Sequence, residues 1–186
     1  TAGLSGGAVY FVNEMPTKSS ITNNKFIDNE AVANGGGLFY SPSARSALNS
    51  NFFLNNKLSK SNNRGTALYA IIRNLNANIN NDNVDISNNR FRSELTPNSQ
   101  QFYINMKKSG RLHLGFNAFS FNKAEITGVS SKYIYLLNDE GSDFQLKGDI
   151  CVDSNETRPG LVYGIDNNIK YDCHRADEEW DNYVEP

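Results

Sequence analysis

Four stretches of the chain share one nine-residue pattern. ITNNKFIDN (residues 21–29), LNSNFFLNN (48–56), ISNNRFRSE (86–94) and LGFNAFSFN (114–122) all read [I/L]-x-x-N-x-F-x-x-N, with Glu94 replacing the last Asn of the third copy. A fifth stretch, LKGDICVDS (146–154), aligns with Asp149 at the first Asn and Cys151 at the Phe. A second series interleaves with the first: GGAVYF (6–11), GGLFY (36–40), TALYA (66–70), QFYIN (101–105), KYIYL (132–136) and GLVYG (160–164). Its period of about 30 residues is that of repeat architectures. A unit this short cannot bury its own apolar face and must stack on its neighbours. The widest gap, residues 71–85, reads as a loop inserted into one repeat.

The pattern predicts two short strands per repeat, with the leading Ile or Leu and the Phe pointing inward and the Asn between them making the bend. Asn suits a bend because its short polar side chain tolerates the left-handed backbone region. Stacked strands are about 4.8 Å apart. Asn24, Asn51, Asn89 and Asn117 are therefore expected to form a ladder of amides, each both donor and acceptor. Ile21, Leu48, Ile86 and Leu114 are expected in one interior column, and Phe26, Phe53, Phe91 and Phe119 in another. A leucine-rich horseshoe would need a dense Leu consensus that this chain lacks, and before the C-terminus no segment keeps a helical period.

Composition agrees with an ordered domain. Asn makes up roughly 15% of the chain, a polarity that alone would suit disorder, yet nine Tyr and eleven Phe accompany it. The formal charge of −2 and pI near 5.7 leave no basic footprint for nucleic acid or anionic membrane. No apolar run is long enough to span a bilayer. Thr1 opens inside a repeat, so the chain reads as a fragment of a longer protein.

GGAV (6–9) resembles the GGA[I/L/V] tetrapeptide of the chlamydial polymorphic membrane proteins. FIDN (26–29), FLNN (53–56) and FSFN (119–122) resemble the FxxN partner motif of that family. The resemblance covers roughly residues 1–165 as a style of repeat, one also found in the wider pectin-lyase-like superfamily and in protist surface proteins. It implies a right-handed parallel β-helix, and the handedness comes from the resemblance. It also implies a large surface or secreted protein whose β-helical part is implicated in adhesion.

Polysaccharide-cleaving enzymes of the same superfamily make catalysis the rival reading. Glycosidic cleavage needs two carboxylates at a defined separation, one with a raised pKa. The glycine-led strands carry no Asp or Glu at their centres; Glu14, Asp139 and Asp166 sit at strand ends in different repeats. NDEGSD (138–143) lacks the alternating ligand spacing of a calcium loop. His113 and His174 have no Cys or His at ligand spacing and read as surface or satisfied residues. No catalytic residue, cofactor or metal site is expected. The basic turns KLSKSNNR (57–64) and MKKSGR (106–111) read as solubilising loops.

The glycine-led strands are apolar on both faces, with Ala8, Tyr10, Leu38, Tyr40, Ala67 and Tyr69 expected on one and Val9, Phe11, Phe39, Leu68 and Val162 on the other. One face packs inward. The other is either covered by a loop or tail, or is a docking face for another chain or for sugar rings.

Cys151 and Cys173 lie about one repeat apart, which would suit a disulfide between neighbouring strands; two buried free thiols are the alternative. The bridge would place the protein in an oxidising compartment. Asn155-Glu156-Thr157 is the N-glycosylation sequon, at Asn155. The acidic stretch 174–186, with Trp180, is expected to cap the last repeat or to link to another protomer.

These readings converge on an all-β right-handed parallel β-helix of about five to six coils, residues 1–165, with a cap or tail at 166–186. The function expected is that of a non-enzymatic extracellular scaffold, adhesin or filament subunit. Its partners would be copies of itself, other surface proteins or glycans, with no nucleic acid and no membrane insertion. The alternative is a polysaccharide lyase or glycoside hydrolase.

Overall fold

The computed structural model describes residues 3–15, 17–42, 45–60, 64–73, 84–93, 100–107, 111–115, 117–121, 134–138, 145–147, 150–152 and 162–163. Among them every regular element is a strand. β1 (Val9–Val12) comes first. One pass then follows through β2 (Ser19–Thr22), β3 (Lys25–Ile27), β4 (Glu30–Ala31) and β5 (Leu38–Ser41). The next runs through β6 (Ser46–Asn49), β7 (Phe52–Leu54), β8 (Lys57–Leu58) and β9 (Arg64–Ile72). Three further passes, each of three strands among the described residues, are β10 (Val84–Ser87), β11 (Arg90–Ser93) and β12 (Gln100–Met106); β13 (Arg111–Leu114), β14 (Asn117–Phe121) and β15 (Ile134–Asn138); and β16 (Gln145–Lys147), β17 (Ile150–Val152) and β18 (Val162–Tyr163).

Each pass enters the same sheets in the same order. The sheets are β1-β5-β9-β12-β15-β18, β2-β6-β10-β13-β16 and β3-β7-β11-β14-β17, with a small fourth, β4-β8. Every strand pair among them is parallel. Consecutive elements therefore lie in different sheets, and each strand pairs with its counterpart one pass away. Of the span 71–85 expected as an inserted loop, Ile71 and Ile72 extend β9 and Val84 and Asp85 open β10, while residues 74–83 lie outside the described residues.

The apolar residues of the nine-residue pattern fall into register. Ile21, Leu48, Ile86 and Leu114 stand opposite one another, as do Phe26, Phe53, Phe91 and Phe119. Leu48, Ile86, Leu114, Phe53 and Phe91 are fully enclosed in one core shared with Leu38, Tyr40 and Leu68 of the six-stranded sheet. Full burial of one such side chain is worth about 1.5–3 kcal/mol. Period-2 alternation thus places one column from each sheet against the others.

The bend is built differently from the sequence expectation. At these bends the left-handed residues are the ones just before the ladder asparagines: Asn23, Ser50 and Asn88 at φ 58°, 55° and 55°, and Asp28 and Asn55 at 53° and 51°. Turning and bonding are thereby divided between adjacent residues, one taking the strained backbone and the next aiming its amide along the stack. At entry to the six-stranded sheet the turn falls to glycine. Gly35 has φ 63°, and a Cβ there would sit 2.4 Å from the Leu38 carbonyl oxygen. At Gly36 the obstacle is the next pass, with the Thr66 carbonyl oxygen 2.3 Å from such a Cβ.

Two further expectations are corrected. In the fifth pass Asn117 pairs with Ile150, Ala118 with Cys151 and Phe119 with Val152. Cys151 therefore stands one place before the phenylalanine column, and Ile150 rather than Asp149 meets the ladder position. Leu146 pairs with Leu112, two residues ahead of the place the motif alignment assigned it, so the fifth copy departs from the alignment in both sheets and by different amounts. The two faces of the six-stranded sheet also sort differently: Tyr10 pairs with Phe39, and Phe11 with Tyr40. Counting from the glycines had shifted β5 by one residue against both β1 and β9, and a shift of one exchanges the faces.

Candidate functional site

The asparagines of the repeat meet as a ladder with a fixed polarity. The backbone N–H and side-chain Nδ2 of Asn24 both donate to Asn51 Oδ1, at 3.0 and 3.2 Å. Asn51 donates in the same way to Asn89 Oδ1, at 3.0 and 3.0 Å. Asn89 does so to Asn117 Oδ1, at 3.2 and 3.0 Å. The second Nδ2 proton goes to a backbone carbonyl of the preceding pass: Ile21 for Asn51, Leu48 for Asn89 and Ile86 for Asn117. Asn51, Asn89 and Asn117 are buried. A second, shorter ladder joins Asn29 to Asn56, whose Nδ2 donates to the Phe26 carbonyl at 2.8 Å. The recurrence of Asn at the ninth motif position was its sequence signal.

The phenylalanines stack beside the ladder. Phe26 and Phe53 lie 4.6 Å apart between ring centroids, and Phe53 and Phe91 4.8 Å, with planes within 8° and 11°. Phe102 closes the column edge-on against Phe91 at 5.2 Å and 81°.

A second aromatic column lies outside this core. Tyr10, Phe39, Tyr69, Tyr103, Tyr135 and Tyr163 occupy one register across the six-stranded sheet. Ring centroids from Tyr10 to Tyr135 are 4.6, 5.3, 5.1 and 5.8 Å apart, and all these pairs are stacked. Phe39, Tyr69 and Tyr103 are only 8%, 8% and 2% exposed, whereas Tyr10 is 61% exposed. Sugar rings dock on aromatic faces, and here each interior face already carries a neighbouring ring. Tyr10, at the end of the column, keeps one face open.

Polar contacts also form outside the ladders. His113 Nδ1 lies 3.0 Å from Asp85 Oδ1, and Asn49 Nδ2 donates to Asp85 Oδ2 at 3.3 Å. Asn49 Oδ1 in turn accepts from the Ser87 N–H and hydroxyl, at 3.2 and 2.9 Å. Asp85 and His113 each precede the motif Ile or Leu, so aligning the copies would have paired them. Glu30 takes a hydrogen bond from the Ser59 hydroxyl and faces Lys57 at 3.6 Å. The Ser59 bond first, and then Lys57, hold its carboxyl below the ordinary value. Burial pushes the Tyr40 phenol far up, so it stays protonated inside the core.

Of the acids considered for catalysis, Glu14 lies exposed beyond β1, while Asp139 and Asp166 are outside the described residues. Cys173, His174, Asn155, Trp180 and the segment 166–186 are also outside them. Among the described residues no three His, Cys, Asp or Glu side chains come together as a metal site, and no helix is long and apolar enough to cross a membrane. No family model, curated protein or solved structure matches the chain.

Proposed function

We propose that the chain is a right-handed parallel β-helix, a solenoid acting as a non-enzymatic structural rod of an extracellular or surface protein. One observation carries this reading: the residues that repeat bond to one another along the stack. The ladder amides are satisfied by other amides and by backbone carbonyls, and the repeated rings are covered by rings. Groups so committed serve stacking, and they leave the variable turns and strand edges as the surfaces for recognition. Handedness rests on the resemblance of the repeats to the chlamydial polymorphic membrane proteins. The extracellular placement rests on that resemblance, the sequon at Asn155 and the proposed Cys151–Cys173 bridge. The partners proposed are copies of itself, other surface proteins and glycans.

The test is incubation with a panel of acidic and neutral polysaccharides, assayed for new reducing ends and for unsaturated uronides. The expected result is no turnover above a heat-denatured control. Turnover abolished by Asp139→Asn, Asp166→Asn or Asp85→Asn would overturn the reading in favour of a lyase or hydrolase.

A further inference from the structure

Among its many asparagines the chain holds one Asn-Gly step, Asn34-Gly35. Such a step can modify itself. Glycine has no side chain to shield its backbone nitrogen, and that nitrogen can attack the side-chain amide carbon of the asparagine before it. In this chain the Gly35 nitrogen would bond to Asn34 Cγ while the Cγ–Nδ2 bond breaks. Nδ2 leaves as ammonia, taking the Gly35 proton. Water then opens the cyclic imide, on one side to aspartate and on the other to isoaspartate, which routes the main chain through the side-chain carbon.

The stack keeps the two reacting groups of this step apart. The Gly35 N–H donates to the Arg64 carbonyl at 3.2 Å, and the Asn34 carbonyl accepts from the Gly6 N–H at 2.9 Å. Asn34 is bridged to Ser5 on one side and to Arg64 on the other. The same turn recurs as Ser5-Gly6 and Arg64-Gly65, and Gly6, Gly35 and Gly65 are left-handed at φ 71°, 63° and 70°. The turn therefore demands glycine at its second place, while its first place takes Ser, Asn or Arg.

We propose that Asn34-Gly35 is a self-modification site, silent in the closed stack and active once the passes open, so that prolonged unfolding becomes irreversible. The Gly35 nitrogen must leave Arg64, and Asn34 must leave both its neighbours, before Cγ can reach it. Local opening is thus the gate. Isoaspartate lengthens the main chain by a carbon where the stack has no room for one. A Cβ at Gly36 alone would sit 2.3 Å from the Thr66 carbonyl oxygen. A chain altered in this way loses the register that joins the three turns. The inference needs only the pairing of these passes and is independent of the scaffold role.

Peptide mapping by mass spectrometry, with isoaspartate detection, tests this on the 186-residue chain held at mildly alkaline pH, native and in urea. Asn34→Ser, which copies the turn at Ser5, is carried in parallel. The wild type is expected to exchange its Asn34 amide for an acid at least about tenfold more slowly when native than in urea. After a long hold in urea its refoldable fraction should fall in step with isoaspartate. Asn34→Ser should start from the same urea midpoint and keep its refoldable fraction. Native modification as fast as that in urea would overturn the proposal. So would isoaspartate-containing chain that refolds to the wild-type midpoint, or Asn34→Ser losing refoldable chain alongside the wild type. Should Asn34→Ser fold poorly, the wild-type rates and refolding decide alone.

Discussion

Replacing Asn89 by alanine is expected to lower the unfolding free energy by about 3–5 kcal/mol, measured by urea denaturation. Asn89 sits mid-ladder and takes part in five hydrogen bonds: it donates three, to Asn117 Oδ1 twice and to the Leu48 carbonyl, and accepts two from Asn51. The backbone N–H survives the change, but it loses none of its neighbours' demand for partners. Asn51 would lose the acceptor for its N–H and for one Nδ2 proton, and the Leu48 carbonyl its donor, all within the core. A buried group left unmatched costs about 1–3 kcal/mol, more than the net worth of the bond itself. Asn24 is the control, because it is exposed and no rung donates to its Oδ1 among the described residues. Asn24→Ala should cost about 1 kcal/mol. Equal costs at the two positions would contradict the ladder.

Asn89→Asp adds a pH test with a definite sign. The group replacing Nδ2 would face two acceptors, the Leu48 carbonyl at 2.7 Å and Asn117 Oδ1 at 3.0 Å. Only the protonated acid can donate there, so the folded-state pKa is raised above the unfolded value of about 3.9. A raised pKa means the variant is most stable below that unfolded value and loses stability as pH rises through it towards the folded one. A variant that gains stability over that range would contradict the assigned donor direction.

Phe53→Ala is the second large effect, expected at about 4–5 kcal/mol by calorimetry or urea denaturation. Phe53 is fully buried, and its ring is covered by Phe26 on one side and Phe91 on the other. Truncation leaves a cavity at a cost of about 3–5 kcal/mol and removes two stacked pairs worth about 0.5–1.5 kcal/mol each. Part of that total is regained as neighbours relax. Phe53→Leu keeps most of the volume and should cost about 1–2 kcal/mol. A loss below about 1 kcal/mol on truncation to alanine would mean the ring is not enclosed.

The parallel pairing and the two columns were legible in the sequence because a strict spacing repeats only where each position meets its own copy. Ile21, Leu48, Ile86 and Leu114 could be aligned by motif alone, and register followed. What escaped was decided by backbone geometry within the motif. The sequence shows Asn23-Asn24 and Asn88-Asn89 as equivalent amides, and only φ separates the turning residue from the bonding one. The glycine-led strands have no anchor as fixed as the Asn–Phe pair, so β5 was placed one residue out against β1 and β9 and its faces exchanged. In the fifth pass the Asn and Phe are gone, and the remaining Leu146 misled the alignment. The Asp85–His113 pair was missed because His113 was weighed only for Cys or His at ligand spacing, and 28 residues of chain separate two side chains one strand apart.

The account stands on the claim that the repeated asparagines are rungs of a buried ladder and not ligands of a site. Hydrogen exchange of the side-chain amides, followed by NMR on the native chain, tests that claim most directly. Asn51 and Asn89 Nδ2 protons should exchange only through large-scale opening, orders of magnitude more slowly than those of the exposed Asn23, Asn55 and Asn88. Asn51 and Asn89 amides exchanging as fast as Asn88 would contradict it.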